Sequence, residues 1–559
     1  LSITENNFFY LNWYGYDNGG SGSRDEFAID DIKITFNPPT TYTYNGIWSP
    51  SDPNGASLST EAIIIESGNT SISTNTDINT ITISPGAGLT IDSGATLTAI
   101  NGITLESNAT SYSSLILDGT IAGNVVYKRH VNTFNNTTGS TNGQNDLISP
   151  PVTNASQDFG AFRGINTNIP SGTVGGGTTT FYLFGPYDNN ANSYTLFSDA
   201  DDATVLTAGA GYRAASTDTS TFTFMGAVLS ETVPVTITTG SENAWNLIGN
   251  PYPSYINSTE FLTSNVSNLD QDAVAIYGYD GDALNGWTVI NLNNPENITP
   301  GQGFMVLADA PSADLNFTPT MRRVSGGDDF ISGRTENTNA HFSLKIENNN
   351  TKYSTDFYFN NNSTRGLDEG YDATIFTSQL PDLYMYSHLV ENNTGRKMTM
   401  QSLGETDLTD VTIPLGVNSN QLEQITFSID ESTLPNTVDV YLEDNVENTF
   451  TLLTSGDYTL TPNENLSGTG RFYLRFTTTA LSIAETTLDN LNIYSNPSDK
   501  TIVVTGQLLE TTTANLYDLQ GRLVNSSLLL NTDRSHSIDV SNLSIGVYVV
   551  ELINGTQNK

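Results

Sequence analysis

Residues 84–107, "SPGAGLTIDSGATLTAINGITLES", decide the fold class because short apolar pairs alternate with turn residues along the whole stretch. Each pair places two side chains on one face of a strand, and Gly, Asn and Ser between the pairs favour tight turns. The pairs are Leu89/Ile91, Leu97/Ala99 and Ile103/Leu105. Similar pairs recur over residues 61–127, as in a β-solenoid whose coils bury apolar side chains on one another. The irregular spacing leaves an ordinary β-sandwich as the alternative.

The composition of the whole chain also favours β structure. Of 559 residues, 36% are hydrophobic and only 14% are charged, whereas about 25% are charged in typical soluble proteins. Asn, Thr, Ser and Gly supply the polarity and suit strands and turns better than helices. The chain is also too long for one core, since single cores stop growing at about 250 to 300 residues. We therefore predict an all-β, multidomain protein, with a β-solenoid-like segment followed by β-sandwich domains and a small C-terminal β-sandwich.

Acidic residues dominate the charge of the chain. There are 60 Asp and Glu against 20 Lys and Arg, so the formal net charge is −40. Such a surface repels phosphate backbones and anionic lipids, which argues against nucleic-acid and membrane-surface roles. No apolar run approaches the roughly 20 residues of a membrane-spanning helix. The sequence contains no Cys, which excludes disulfides, thiolate zinc sites and cysteine nucleophiles and leaves packing and bound calcium to stabilise the fold outside the cell.

Changes in strand length and turn composition divide the chain into six predicted segments. They are 1–38, the closing strands of an incomplete jelly-roll-like domain; 39–127, the solenoid-like segment; 128–335, a β-rich sandwich-like module; 336–480, a β-sandwich; 481–490, a linker; and 491–559, a small C-terminal domain.

Two of these segments resemble parts of secreted Bacteroidota proteins. The stretch "DEFAIDDI" at residues 25–32 resembles the last strand of their jelly-roll domains. The stretches "LISPPV" (147–152), "WNLIGNPYPS" (245–254) and "ITPGQGFMV" (298–306) resemble a β-rich module found upstream of sorting domains. Neither resemblance implies a chemical activity.

The last segment has a strand-and-turn pattern of its own. Its turns lie at Asn496-Pro497, at Gly521 within "LYDLQGRLV" (516–524), and before "LSIGVYVV" (543–550), which contains Gly546 and Tyr548. In this order the pattern closely resembles the type A C-terminal sorting domain of the Bacteroidota type IX (Por) secretion system. The resemblance implies export by that machinery to the outer cell surface or the extracellular space. Members of this family usually end with one more strand, so we expect the final strand to be missing after Lys559.

No catalytic motif stands out in the sequence. The four histidines, His130, His341, His388 and His536, lack metalloprotease spacing, and there is no G-x-S-x-G elbow or phosphate loop. A glycosidase needs only two carboxylates about 5 to 10 Å apart, and 60 acidic residues conceal such a pair from any sequence argument. We therefore predict that the chain is not an enzyme and has no catalytic or cofactor-binding residues.

Two kinds of binding site remain as candidates. Acidic loops offer the oxygen ligands that Ca²⁺ prefers, although plain solvated turns are the alternative because none has EF-hand spacing. The candidate calcium ligands are Asp199, Asp201 and Asp202; Asp280, Asp282 and Asn285; and Asp25, Glu26, Asp30 and Asp31. Aromatic rings beside glycine-rich loops are candidates for stacking on sugars, with burial in the core as the alternative. They are Tyr182, Tyr187, Tyr277, Tyr279 and Trp287.

Together these observations predict a secreted, non-enzymatic cell-surface protein that acts in adhesion, glycan contact or extracellular assembly, for example as a filament or matrix subunit. The alternative is the accessory C-terminal part of a polysaccharide-degrading enzyme whose catalytic domain precedes Leu1. The expected partners are the secretion machinery, glycans or other surface proteins. The chain begins within a jelly-roll-like hairpin, and Asn554-Gly555 is a strong hairpin signal with little sequence after it. Strand edges near Leu1 or at residues 546–553 are therefore candidates for pairing with another chain. The alternative is a chain that was simply cut at its ends.

Overall fold

The computed structural model describes residues 38–134, 145–154, 156–173, 176–218, 220–279, 287–328, 339–478, 488, 491–497, 499–506, 508, 510–531, 535–554 and 559. The chain forms two compact units, Leu1–Thr40 and Thr41–Lys559. The jelly-roll prediction for the first unit lies outside the described residues. In the second unit strands predominate, and the α-helices of the described residues, α1 (Phe159–Ile165) and α2 (Ser258–Asn265), have 7 and 8 residues. The prediction of an all-β fold is confirmed.

The first part of the second unit, residues 41–130, is a three-sided β-solenoid. Its strands are β1 (Thr41–Asn45), β2 (Trp48–Ser49), β3 (Ala62–Ser67), β4 (Asn69–Ile72), β5 (Thr76–Ile78), β6 (Thr80–Ile83), β7 (Gly88–Ile91), β8 (Thr96–Ala99), β9 (Ile103–Leu105), β10 (Ser107–Asn108), β11 (Ser111–Tyr112), β12 (Ser114–Leu117), β13 (Thr120–Ala122) and β14 (Val125–His130). The first side is a parallel sheet of β1, β3, β6, β9 and β14. The second contains β4, β7 and β12, and the third contains β5, β8 and β13.

Apolar side chains stack in register inside the solenoid. On the first side, Ile65, Ile83, Leu105 and Tyr127 are successive strand partners, and each is 0% exposed. The segments between the strands differ from coil to coil, and the β10–β11 hairpin is inserted between β9 and β12, which explains why the apolar pairs recur at irregular spacing along the sequence. The solenoid prediction is therefore confirmed.

A loop covers the strand edges at the start of the solenoid. Asn54 accepts a hydrogen bond from the Ser73 amide at 2.9 Å and donates to the Ser71 carbonyl at 3.0 Å. The Gly55 amide donates to Thr76 Oγ1 at 3.0 Å. These contacts occupy groups beside β4 and β5 that another chain would otherwise reach, so this end of the solenoid is protected against edge pairing.

Residues 145–328 form the middle region, which contains both α-helices. Its strands are β15 (Asp146–Ile148), β16 (Ser171–Thr173), β17 (Thr180–Tyr182), β18 (Phe184–Gly185), β19 (Tyr187–Asp188), β20 (Ser193–Tyr194), β21 (Tyr212–Ala214), β22 (Thr221–Gly226), β23 (Val233–Ile237), β24 (Trp245–Gly249), β25 (Tyr255–Asn257), β26 (Ile276–Tyr279), β27 (Trp287–Ile290), β28 (Asn297–Ile298), β29 (Gly303–Leu307), β30 (Ala313–Phe317) and β31 (Arg322–Arg323). Its 3₁₀ helices are Asp199–Asp201, Val266–Asn268, Gln271–Ala273 and Pro319–Met321. The largest sheet of this region has the order β24-β29-β26-β27.

The solenoid and the middle region share a sheet and a core. Strand β22 runs antiparallel to β14 along its whole length, from Val125 opposite Gly226 to His130 opposite Thr221. The boundary expected between residues 127 and 128 lies within β14. The solenoid core continues into aromatic side chains of the middle region such as Phe162, which packs on Phe224 with ring centroids 4.9 Å apart.

Residues 339–478 form the sandwich. Its strands are β32 (Ala340–Glu347), β33 (Lys352–Asn360), β34 (Ala373–Thr374), β35 (Tyr384–Ser387), β36 (Met398–Gly404), β37 (Asp410–Asn418), β38 (Ile425–Ser432), β39 (Asp439–Asp444), β40 (Thr449–Leu452), β41 (Tyr458–Leu460) and β42 (Thr469–Thr477), with 3₁₀ helices at Thr377–Gln379 and Glu405–Thr409. The strands follow the order β40-β39-β42-β37-β35-β36-β33-β32-β38-β41, and β34 pairs with β36. The sheet folds over on itself. Strands β32 and β42 are separated by four strands in this order, yet the ring centroids of Phe342 on β32 and Phe476 on β42 lie 5.3 Å apart.

The C-terminal residues form two small sheets around a core of their own. The strands are β43 (Asn492–Asn496), β44 (Thr501–Thr505), β45 (Thr512–Tyr517), β46 (Leu523–Leu529), β47 (Ser535–Asp539) and β48 (Val549–Ile553). The sheet orders are β43-β44-β47 and β46-β45-β48, and Val504 and Leu552, one from each sheet, are both 0% exposed in the shared core. Lys559 exchanges two backbone hydrogen bonds with Leu552, at 2.8 and 2.9 Å. The expectation that residues 546–553 pair with another chain stays a prediction.

Candidate functional site

The middle region and the sandwich meet at a shared apolar core, which we call the junction. Trp245 and Tyr277 from the middle region pack on Phe376 from the sandwich, and Trp245 lies 4.7 Å from each of the other two rings. The Tyr277 hydroxyl donates to the Thr374 carbonyl at 2.7 Å across the junction. These contacts fix the two regions against each other because aromatic packing and a buried hydrogen bond act together.

A polar network crosses the same junction. Asn293 donates to the Tyr371 carbonyl at 2.7 Å and to Ser402 Oγ at 2.8 Å, and its own carbonyl oxygen accepts from Asn360 at 3.1 Å. Asn291 adds a second bond to the Tyr371 carbonyl at 2.8 Å. Buried amides cost free energy unless they are paired, and these pairs form only when the two regions are in register.

An ion pair lies at the edge of the junction. Arg396 Nε is 2.6 Å from Asp272 Oδ2, and Arg396 Nη2 is 3.3 Å from Asp270 Oδ2. The Asp272 side chain is 7% exposed. Burial raises the pKa of Asp272, while Arg396 acts in the opposite direction. The pair therefore compensates a carboxylate that would be costly to bury alone.

Two further carboxyl groups have clearly raised pKa values: Asp372, which is buried, and Glu296, which is half-buried. Asp372 is 0% exposed and accepts from the amides of Ser402 and Asp368, each at 2.7 Å. Burial raises the pKa of Asp372 to about 8. Burial alone raises the pKa of Glu296 to about 7, without a contribution from a second carboxylate. Asp372 is therefore closed to solvent, whereas Glu296 keeps part of its surface exposed.

Four half-buried rings lie together beside the junction core, and we call them the aromatic face. They are Tyr187, Tyr194, Tyr279 and Trp287. The ring centroids of Tyr187 and Tyr194 are 5.3 Å apart, and those of Tyr279 and Trp287 are 5.2 Å apart. Trp287 lies 4.2 Å from Phe376. The fully packed rings of the junction therefore support a second layer of rings that keeps part of its surface in solvent.

Amide side chains hold one edge of the aromatic face. Tyr187 Oη lies 2.7 Å from Asn192 Oδ1 and 2.9 Å from Asn243 Nδ2. The guanidinium of Arg213 sits 5.0 Å from the ring centroid of Tyr194. These contacts fix the orientations of the Tyr187 and Tyr194 rings.

A cleft of about 320 Å³ adjoins the aromatic face, and we call it the junction cleft. It is lined by Asn243, Ala244, Trp245, Leu307, Thr374, Ile375, Thr377, Gly395, Arg396 and Lys397. Asn243 connects the two features, since it lines the cleft and donates a hydrogen bond to Tyr187 of the aromatic face. The lining contains two cations and no carboxylate.

The aromatic candidates from the sequence separate into three groups. Tyr187, Tyr279 and Trp287 belong to the aromatic face, whereas Tyr277 lies beneath it and is 0% exposed. Tyr182 lies elsewhere and packs on Phe159, with ring centroids 5.4 Å apart.

Sequence reasoning missed Tyr194, Trp245, Phe376, Arg396 and Lys397. They come from separate strands and loops, so no local spacing could have grouped them. The one local signal was Tyr194, which closes the hairpin that begins at Tyr187.

The described acidic loop is occupied by protein donors. Asp202 forms two bonds with Arg163, at 2.7 and 2.6 Å, and this guanidinium lowers the pKa of Asp202. Asp201 accepts from the amide and hydroxyl of Ser198, and Asp199 accepts from the Tyr182 hydroxyl at 2.9 Å. Within the described ranges, no group of three or more His, Cys, Asp or Glu side chains is placed to hold a metal.

The other calcium candidates lie outside the described residues. They are Asp280, Asp282 and Asn285, and Asp25, Glu26, Asp30 and Asp31. Calcium binding stays a prediction.

The histidines sit in structural surroundings. His341 Nε2 lies 2.9 Å from Asp356 and its ring stacks on Tyr358, with centroids 4.4 Å apart. His388 Nδ1 lies 2.7 Å from the Arg396 carbonyl oxygen. His130 and His536 are buried within β14 and β47.

The residues predicted as the sorting signal lie at turns of the C-terminal sheets. Asn496 ends β43 and donates to Asp499 at 2.7 Å, beside Pro497. Gly521 has φ +76° in the turn between β45 and β46, a conformation that favours glycine. Tyr548 follows Gly546 and donates to the Ser544 carbonyl at 2.8 Å.

Comparison with known families agrees with this architecture. A family model described as a secretion system C-terminal sorting domain matches residues 492–559. The chain is thus a type IX secretion substrate, destined for the cell surface or the extracellular space, as predicted. In the part of the chain that the structure describes, every helix is too short to cross a bilayer. No curated protein matches the chain.

A second model, described as a domain of unknown function (DUF8693), matches residues 40–286 and 278–476. Since these matches cover more than half of the chain, the protein belongs to the DUF8693 family.

Proposed function

We propose that this secreted chain is a non-enzymatic cell-surface protein that contacts glycans through the aromatic face and so acts in adhesion or extracellular assembly. The observation that carries the proposal is the clustering of four half-buried rings beside hydrogen-bonding amides. The secretion machinery delivers the protein, and the aromatic face supplies its contact with a partner.

The chemistry of the aromatic face suits sugars. The apolar faces of pyranose rings stack on aromatic side chains, and sugar hydroxyls need donors and acceptors at the edge of the same surface. Tyr279 and Trp287 supply rings, while Asn192 supplies an exposed amide group beside Tyr187. The rings are already positioned by Phe376 and Trp245, which supports recognition without rearrangement.

The surroundings of Asp372 and Glu296 support a non-catalytic role. Asp372 is closed to solvent, and burial alone perturbs Glu296. Burial is the largest cause of both raised pKa values, and the neighbouring carboxylates of Asp368 and Asp272 add to it at Asp372.

Binding of polysaccharides to the full chain, measured by affinity electrophoresis, tests the proposal. We expect wild type to be retarded by at least one polysaccharide of a broad panel. Trp287→Ala and Tyr279→Ala should each weaken the affinity by about tenfold. A ring that stacks on a sugar contributes about 1 kcal/mol or more, and tenfold in affinity corresponds to about 1.4 kcal/mol.

The matched control is Tyr494→Ala, which removes a ring that is 53% exposed on the C-terminal domain. It should leave the retardation unchanged. Thermal unfolding of each variant separates lost binding from lost folding, because Trp287 also packs on Phe376. Retardation that is unaffected by Trp287→Ala, or absent across the panel, would contradict the proposal.

A further inference from the structure

We infer that the junction cleft holds an anionic sugar residue, carboxylated or sulfated, with its charged group beside Lys397. This inference rests on the proposed function and names the class of glycan that the aromatic face contacts. The chain of sugars would lie across the aromatic face and place one residue in the cleft.

The charge of the cleft differs from that of the whole chain. Acidic side chains outnumber basic ones three to one in the sequence, with 60 against 20, yet the cleft lining carries Arg396 and Lys397 without a carboxylate. Arg396 is already paired with Asp270 and Asp272. Lys397 has no salt bridge to a described carboxylate, which makes it the cation left for a ligand.

Aromatic rings hold the ammonium group of Lys397. Its Nζ lies 4.7 Å from the ring centroid of Tyr386 and 5.3 Å from that of Tyr384, and it donates to Tyr384 Oη at 3.2 Å. An ammonium group has three N–H donors, so two remain beyond the bond to Tyr384. The side chain is half-buried. A partly desolvated cation attracts an anion more strongly than a surface lysine does.

The cleft has a suitable size and position. Its volume of about 320 Å³ lies at the lower end of the roughly 300 to 1,000 Å³ of ligand pockets, which fits one sugar residue better than a longer segment. Asn243 and Trp245 line the cleft and also contact the rings of the aromatic face or its supporting layer. A single glycan can therefore touch both features.

The acidic surface does not prevent such binding at physiological ionic strength. Charges further apart than about 8 Å are largely screened there. The groups nearest the ligand decide the interaction, and Lys397 lines the cleft.

Paired polymers test the inference. The full chain is titrated with polygalacturonate and with its carboxyl-reduced form, and with dextran sulfate and dextran. We expect at least one anionic polymer to bind about tenfold more tightly than its neutral partner. Lys397→Met should abolish that preference, and Lys397→Arg should retain most of it because the positive charge remains. The control Lys352→Met removes another half-buried lysine, at the start of β33. It should leave the preference for the anionic polymer unchanged.

The outcomes separate this inference from the proposed function. Equal binding of anionic and neutral polymers, still weakened by Trp287→Ala, overturns the anionic assignment and leaves glycan contact standing. If Lys397→Met lowers the affinity for the anionic polymer and for its neutral partner equally, Lys397 has a structural role, and the inference is also overturned. Failure of wild type to bind any glycan in a broader panel overturns both.

Discussion

Arg396 Nε lies 2.6 Å from Asp272 Oδ2, and this pair joins the sandwich to the middle region at the edge of the junction. The two side chains differ in exposure: that of Arg396 is 44% exposed, and that of Asp272 only 7%. The buried partner therefore depends on the exposed one.

Removal of Arg396 should destabilise the fold. Arg396→Met leaves the buried Asp272 carboxylate without its cation, so we expect the free energy of unfolding to fall by about 2 kcal/mol. The control is Lys128→Met, whose ion pair with Glu106 has side chains 38% and 30% exposed; it should cost less than about 1 kcal/mol. Urea unfolding measures both, and equal losses would contradict the prediction.

Asp372 should make stability depend on pH. Its pKa is raised to about 8 in the folded chain and is near 3.9 when unfolded. Between these values the folded state holds one more proton, so this group's contribution to stability falls as pH rises from about 4 to about 8 and is constant above. In Asp372→Asn, the decrease in the free energy of unfolding with rising pH should be smaller by up to about 1.4 kcal/mol per pH unit.

The comparison of slopes isolates Asp372 from other groups. Glu296, whose pKa is raised to about 7, acts in the same direction in both proteins and cancels in the difference. Urea unfolding at pH 5, 6, 7 and 8 gives the slopes, and parallel curves for wild type and Asp372→Asn would refute the prediction.

The inner side chains of the solenoid should dominate its stability. Ile83 is 0% exposed between Ile65 and Leu105, so Ile83→Ala should cost about 3 to 4 kcal/mol through lost burial and the cavity it leaves. Thr82 is its neighbour on the outer face, and Thr82→Ala should change stability by less than about 0.5 kcal/mol. Similar effects of the two substitutions in urea unfolding would argue against the stacked core.

Calcium is expected to stabilise the protein through the acidic segments outside the described residues. Asp199, Asp201 and Asp202 already have protein partners, so the expectation rests on the acidic residues at 25–31 and 280–285. Millimolar chelator should lower the melting temperature and added Ca²⁺ should restore it, since a ligand of the folded state alone stabilises by mass action. An unchanged melting curve would remove calcium from the account.

Local sequence patterns predicted much of the fold. The apolar pairs of residues 61–127 lie on the inner faces of the solenoid because side chains alternate along a strand, and one-residue shifts would expose them. The C-terminal domain could also be predicted from the sequence, since Asn496, Gly521 and Gly546 mark turns within a short stretch. Both cases depend on contacts between neighbouring coils or hairpins.

The junction could not be predicted from sequence patterns. Trp245, Phe376 and Lys397 are far apart in the sequence, and each occurs in a strand or loop whose pattern indicates only burial or a turn. Their grouping depends on the packing of the sandwich against the middle region, which leaves no period in the sequence. The aromatic face could be predicted only as a set of residue types near glycine-rich loops.

The pairing of β14 with β22 has a consequence for the order of folding. Residues 125–130 complete their sheet only after residues 221–226 are present, so the last coil keeps an open strand edge while the intervening chain folds. Contacts between distant segments slow folding because the loop between them must first close. The solenoid and the middle region should therefore gain their final stability in one cooperative step, and a chain interrupted before residue 221 would expose an edge prone to aggregation.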